Sequence, residues 1–106
     1  MNIEEIMNKK IEANILFNAA NALIEKYTNL CGDIAEATNT DQLVKYRMDI
    51  LMTCASLDAI KTKVPDYFEK EFAEKFTSIL ERAIENVKST YACIIVTLRK
   101  YEMMEA

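Results

Sequence analysis

The chain has 106 residues with a formal net charge of −4, is 51% hydrophobic and 28% charged, and contains a single Gly and a single Pro. This balance is typical of one folded domain spanning residues 1–106, and the scarcity of turn-forming residues favours a few long helices over a β-sheet. No basic run exceeds two residues and no apolar run approaches the ~20 residues of a membrane span, so we expect neither direct nucleic-acid binding nor membrane insertion.

The N-terminus and the cysteines predict a cytoplasmic protein. The opening sequence MNIEEIMNKK is acidic before it is basic and lacks the apolar region of a signal peptide. Three cysteines, an odd number, lie far apart in the sequence at Cys31, Cys54 and Cys93. This arrangement favours reduced thiols over a disulfide framework.

The first predicted helix covers about residues 3–37. Asn2 followed by Glu5 is a capping box that opens it, and Gly32 either ends the helix early or is passed through. Leucines that repeat every seven residues within its apolar stripe indicate coiled-coil-like packing. The predicted core stripe consists of Ile6, Ala13, Leu16, Phe17, Ala20, Leu23, Ile24, Tyr27, Leu30 and Ile34.

The second predicted helix covers about residues 40–63. Asn39 with Gln42 is a capping box at its start, and Pro65 is expected to stop it. The first apolar flank of this helix is Leu43, Tyr46, Ile50, Leu57 and Val64. The second apolar flank is Val44, Met48, Leu51 and Ala55. So wide an apolar arc predicts packing against two neighbouring helices at once.

The third predicted helix covers about residues 66–104, with Asp66 and Glu69 as its capping box. Its predicted core seam is Phe72, Phe76, Ile79, Leu80, Ala83, Ile84, Val87, Tyr91, Ile94, Leu98 and Tyr101. The three helices predict an all-α fold, an antiparallel three-helix bundle or extended helical hairpin with coiled-coil-like packing. This alignment places Phe17 against Phe72 and Phe76, with Leu57 nearby. It also leaves the last three or four turns of the third helix beyond the end of the second.

The sequence contains no residues that would support catalysis or the binding of a metal or cofactor. The chain lacks histidine, which removes the commonest general base and metal ligand. The carboxylate pairs Glu71/Glu74 and Glu81/Glu85 lie outside the core seam, where ion pairs in solvent are expected. Cys54 and Cys93 are predicted to lie ~20 Å or more apart along the bundle, too far to share a metal. We therefore expect no enzyme, no cofactor and no metal.

Two apolar stripes lie off the core face and are predicted to contact a partner. The first is Ile3, Met7, Ile11 and Ile15 at the start of the first helix. The second lies near the end of the third helix, with Val96 and Met103 opposite the core seam and Ile95 and Cys93 on its flanks. At ~25 cal/mol per Å², leaving such side chains in water forgoes several kcal/mol, which favours covering them. The alternatives are that the chain ends fold back, or that these are scattered surface residues.

The sequence therefore predicts a non-catalytic helical interaction module that self-associates or covers a protein partner. An antiparallel homodimer would bring each of the two stripes beside its complement twice, as a closed two-fold interface requires. One alternative is a small acidic inhibitor of a host protein machine, encoded by a phage or a mobile element. Another is a helical-bundle carrier that opens its Phe- and Met-lined core to an apolar ligand.

Overall fold

Three helices and two short connections make up the chain, whose structure, a computed structural model, describes residues 2–105. The helices are α1 (Ile3–Ala35), α2 (Thr40–Tyr67) and α3 (Lys70–Glu105), and no strand is found in that range. Each helix packs against both others. The predicted all-α three-helix architecture is confirmed.

The starts of α1 and α2 lie where the capping residues predict. The Asn2 side chain accepts a hydrogen bond of 2.8 Å from the Glu5 backbone N–H, and Asn39 accepts one of 3.0 Å from Gln42. The Gln42 side chain reaches back to accept a 2.9 Å bond from the Thr38 backbone N–H. Both helices therefore begin with backbone donors satisfied by side chains. α1 passes through Gly32 and ends at Ala35.

The end of α2 differs from the prediction, because Pro65 lies inside the helix rather than after it. A proline in the last turn removes a single N–H from the helix ladder. Burial of Val64 and a 3.2 Å bond from the Phe68 N–H to the Val64 carbonyl hold this last turn in place. The capping box expected at Asp66 and Glu69 is consequently wrong: Asp66 is helical, and α3 begins at Lys70.

α2 is the central helix of the bundle. Its contact with α3 is the most extensive, its contact with α1 is smaller, and α1 comes close to α3 at few positions. The largest fully buried side chains are Ile50, Leu57, Leu80, Ile94, Val64, Val87 and Thr53, all from α2 and α3. The core is therefore a packed α2–α3 hairpin with α1 laid along one side.

The molecule is a rod of 65 × 19 × 17 Å. At ~1.5 Å per residue, α1 spans about 50 Å and α3 about 54 Å, so the two are staggered along the rod. The side chains of Lys61 and Glu81 pair at 3.7 Å, and Cys54 lines the same groove as Lys88. Extending this register places Thr40 level with Glu102.

The long overhang expected for α3 is therefore wrong. Tyr101 still packs against the core, so α3 extends past α2 by only about one turn. The helix that protrudes is α1, because its residues Lys10 and Ala13 line a depression together with Tyr67 at the end of α2. The turns of α1 before Lys10 thus project beyond the α2–α3 connection.

Candidate interaction surfaces

A cluster of four phenylalanines closes the end of the bundle near the α2–α3 connection. The ring of Phe17 lies 6.1 Å from that of Phe72 and 5.4 Å from that of Phe76, as the alignment predicts. Phe68, at the end of α2, adds rings 5.0 Å from Phe72 and 5.4 Å from Phe76. These tilted and edge-on contacts join all three helices near the end of the bundle beyond which α1 protrudes.

The N-terminal stripe (Ile3, Met7, Ile11 and Ile15) is exposed along its whole length. Its four side chains are between 55% and 77% exposed. Ile6, predicted to lie in the core, is exposed as well, and that prediction is wrong. The reason is the protrusion of α1, because neither α2 nor α3 reaches the level of its first turns to cover them.

The C-terminal stripe (Cys93, Ile95, Val96 and Met103) lies in the opposite half of the rod. Cys93, Val96 and Met103 are exposed, whereas Ile95 is half-buried. Cys93 and Val96 line a shallow depression on α3 together with Ala92, Thr97 and Lys100. Within one chain the structure keeps the two predicted stripes apart, as the sequence interpretation assumed.

A third stripe, which sequence reasoning assigned to packing within the chain, is exposed. The prediction that α2 packs against two helices at once is confirmed. The α2 stripe, defined as Val44, Met48, Leu51 and Ala55, takes little part in that packing, because all four of its residues are exposed. Its three larger side chains are between 45% and 55% exposed. Both neighbours of α2 pack closer to the first flank, around the fully buried Ile50, Leu57 and Val64.

The α2 stripe borders a groove between α2 and α3. Leu51 lines this groove with Cys54, Val87, Lys88 and Tyr91. Farther along, Ala55 and Asp58 line it opposite Ile84. The spacing of four, three and four residues within the stripe is the heptad spacing of a coiled-coil seam, a pattern that could have identified it as a docking surface.

The contact between α1 and α3 leaves two residues of the predicted α3 seam exposed. Ile79 is 56% exposed and Phe72 is 40% exposed. Because α1 comes close to α3 at few positions, it does not cover this side of α3. The prediction that Ile79 belongs to the core is wrong, and Phe72 is covered only where Phe17, Phe68 and Phe76 contact it.

Tyr27 makes the one polar connection between α1 and α3 within residues 2–104. Its hydroxyl lies 2.6 Å from Thr90 Oγ1 and donates to the Asn86 carbonyl at 3.0 Å. Burial raises the pKa of Tyr27 above its ordinary value, the Thr90 bond lowers it, and Cys31 and Cys93 each raise it. Two cysteines therefore lie near this tyrosine.

The predicted spread of the cysteines along the bundle is too large. Cys54 lies level with Lys88, five residues before Cys93, which corresponds to about 7.5 Å along the axis. The difference follows from the continuation of α2 past Pro65, which moves α3 relative to α2. Residues 2–104 nevertheless contain no group of three or more His, Cys, Asp or Glu side chains that could hold a metal ion.

The carboxylates considered as metal ligands lie in solvent. Glu71, Glu74, Glu81 and Glu85 are all exposed. Glu71 pairs with Lys75 and Glu81 with Lys61, each at 3.7 Å. These are the solvated ion pairs that the sequence pattern predicts, and exposed pairs of this kind contribute little stability.

Comparisons with protein-family models, with curated proteins and with solved structures found no match to this chain. None of the helices described within residues 2–105 is long and apolar enough to cross a membrane. A functional interpretation therefore depends on the shape, the exposed apolar stripes and the charges of the chain itself.

Proposed function

We propose that this chain is a non-catalytic helical interaction module that associates with a second copy of itself or covers a different protein. The observation that carries the proposal is its surface area of 7551 Å². A compact monomer of 12.2 kDa exposes about 6,100 Å², so the excess is about 1,500 Å². A standard protein–protein interface removes about 800 Å² from each partner, which this excess readily supplies.

The elongated shape accounts for the excess area. The radius of gyration is 17.5 Å, whereas a compact chain of this length has a radius of about 13 Å. A rod three helices thick cannot turn all of its apolar residues inward, since each helix contacts its neighbours along a limited arc. Covering one side of the rod with another protein would remedy this.

The kind of exposed residue supports the same proposal. The N-terminal and α2 stripes contain isoleucine, methionine, valine and leucine at helical spacing, each along one side of a helix, and the C-terminal stripe adds Val96 and Met103 on the exposed side of α3. Exposed apolar side chains grouped in this way mark interaction surfaces far more often than scattered single residues do. The absence of histidine from the sequence supports a non-catalytic role.

In-cell cross-linking tests the proposal. The tagged chain is cross-linked in its native cell beside two variants, Leu51→Glu and the pair Met7→Glu with Val96→Glu, and the masses of the products are compared. We expect the wild type to form a discrete cross-linked species that at least one variant loses. A wild-type chain that stays at its own mass in the cell, and that also sediments as a monomer in vitro, would contradict the proposal.

A further inference from the structure

We propose that the side of the rod formed by α2 and α3 is where a second copy of this chain docks, in antiparallel orientation. This surface, the α2–α3 face, consists of the α2 stripe together with Lys88 of α3, which lines the groove beside Leu51, and with Ala92 and Ile95, one and two turns beyond Lys88. The inference rests on the proposed function, because it names the partner and the surface that this function would use.

The α2 stripe is complementary to itself. Val44, Met48, Leu51 and Ala55 are spaced by four, three and four residues, a pattern that reads the same in both directions. A two-fold axis passing between Met48 and Leu51 therefore sets Met48 of one copy against Leu51 of the second copy, and Val44 against Ala55. A closed dimer requires this isologous arrangement, in which one surface serves both copies.

The same axis gives α3 a complementary arrangement. The register between α2 and α3 places the midpoint of the α2 stripe level with Ala92 and Cys93. The exposed Ala92 therefore lies near the axis, where its small side chain allows the two α3 helices to approach. Large side chains at that level would hold the α3 helices apart.

Charge supports the antiparallel orientation. Arg99 and Glu85 lie seven residues to either side of Ala92, and the axis brings Arg99 of one copy level with Glu85 of the second copy. Both side chains are exposed, and neither forms a salt bridge with another side chain within residues 2–104. The dimer would contain this pair twice, at the rim of the interface, where opposite charges fix orientation.

The area also fits. Removing about 800 Å² from each copy would bring the exposed surface to within about 700 Å² of that of a compact chain of the same mass. In the dimer the α2 and α3 helices of both copies would pack together in the centre, and the two α1 helices would lie on the outside. The protruding turns of α1 would stay free in this arrangement.

Sedimentation of two complementary variants tests the inference. Leu51→Glu and Met48→Lys each place an unpaired charge in the proposed interface, and each alone should raise the dimer dissociation constant at least ~100-fold. Mixing them should restore a dimer to within ~10-fold of wild type. In the mixed dimer the carboxylate introduced by Leu51→Glu in one copy faces the ammonium group introduced by Met48→Lys in the other. On the opposite side of the axis, the unchanged Met48 and Leu51 keep their native contact.

The pair Met7→Glu with Ile79→Glu is the matched control, because it adds charge to exposed apolar positions away from the α2–α3 face. It should sediment as the wild type does, and urea unfolding should show that every variant is folded. A wild-type monomer at about 100 μM, a concentration at which a standard interface would be occupied, would overturn the inference. So would a dimer that the control pair disrupts and the face variants do not, or a mixture that stays monomeric.

The outcomes separate this inference from the proposed function. If the chain sediments as a monomer but forms a cross-link to a different protein in its native cell, the result contradicts the inference and supports the proposed function. A chain that sediments as a monomer and forms no cross-link in its native cell contradicts both.

Discussion

The α2–α3 hairpin and α1 differ sharply in how much of each is buried. α2 buries six of its 28 residues, including Ile50, Leu57 and Val64, whereas α1 buries only Ala20 and Leu30 among 33. α3 resembles α2, with a line of buried residues from Ala73 to Leu98 that the half-buried Tyr91 interrupts. The chain is a tightly packed hairpin that carries a loosely docked third helix.

The difference teaches that helical periodicity alone does not measure how firmly a helix is held. α1 has a regular apolar stripe, but most of the residues in that stripe are only half-buried against α2. Burial in the finished fold, rather than amphipathicity, determines how much free energy a helix gains from docking. Stability is therefore expected to vary along the chain, with α1 opening more easily than the hairpin.

The largest effect is expected where the two regions meet, in the phenylalanine cluster. Phe76 is buried against Phe17, Phe68 and Phe72. Phe76→Ala should lower the free energy of unfolding by ~3–5 kcal/mol, the range for a buried phenylalanine. Urea unfolding followed by circular dichroism measures this loss, and Phe72→Ala, at a half-exposed position, is the control that should cost less. A loss below ~1 kcal/mol for Phe76→Ala would contradict the packing described.

Native-state hydrogen exchange tests the comparison directly. Amides of α1 should open at a free energy at least ~2 kcal/mol below that of amides in the middle of α2 and α3, because few α1 residues are buried. The turns before Lys10 should show the least protection of all. Equal protection of α1 and α2 would mean that the three helices unfold as a single unit.

A smaller effect is expected at Tyr27, whose hydroxyl ties α1 to α3. Tyr27→Phe should lower the free energy of unfolding by ~0.5–1.5 kcal/mol at neutral pH, the net value of a typical hydrogen bond. Tyr46→Phe, which removes the hydroxyl of another half-buried tyrosine, is the matched control. If both variants lower the free energy of unfolding by the same amount, the hydrogen bond of Tyr27 adds nothing to the effect of removing a hydroxyl group.

The same tyrosine predicts a pH dependence. Its pKa in the folded chain is raised above the ordinary value of 10.0, so the folded state holds the phenol proton more tightly than the unfolded state does. This contribution to stability is fully present below pH 10 and is lost as the pH rises through the folded pKa. The free energy of unfolding, measured across that range, should fall less steeply with pH for Tyr27→Phe than for wild type.

The smallest effect is expected from a substitution that stabilises α1. Gly32 lies inside the helix, and a methyl group at its α-carbon would meet no atom within 4 Å. Gly32→Ala should therefore raise the free energy of unfolding by ~0.5–1 kcal/mol, the difference in helix propensity between the two residues. Thermal unfolding measures the gain, and hydrogen exchange should place it in α1. A loss of stability would mean that the glycine has a role that the isolated fold does not require.

Much of the fold could be predicted because its local determinants are explicit. Asn2 and Asn39 cap the helices that they were expected to cap, and the phenylalanine spacing predicted the contacts of Phe17. The error at Pro65 was local, yet it changed the register of α3 against α2. From that single shift came the wrong overhang of α3 and the wrong separation of Cys54 from Cys93.

The candidate surfaces were harder to predict, since an apolar flank does not reveal what covers it. Val44, Met48 and Leu51 have the composition of a buried seam, and only the positions of α1 and α3 reveal that neither reaches them. Ile3 and Met7 were predicted correctly to lie off the core face. They are followed by Asn18 and Glu25 on the same face, and that switch from apolar to polar residues is visible in the sequence.

The odd number of helices places Asn2 and Glu105 at opposite ends of a 65 Å rod. Many domains bring their termini close together, which is why they tolerate circular permutation, but joining these two ends would take a linker of about 20 extended residues. In an antiparallel pair of rods, each end of the assembly would carry one start of α1 and one end of α3. A fluorescent donor attached to one position and an acceptor to the other would then be far apart within a chain and close together between chains.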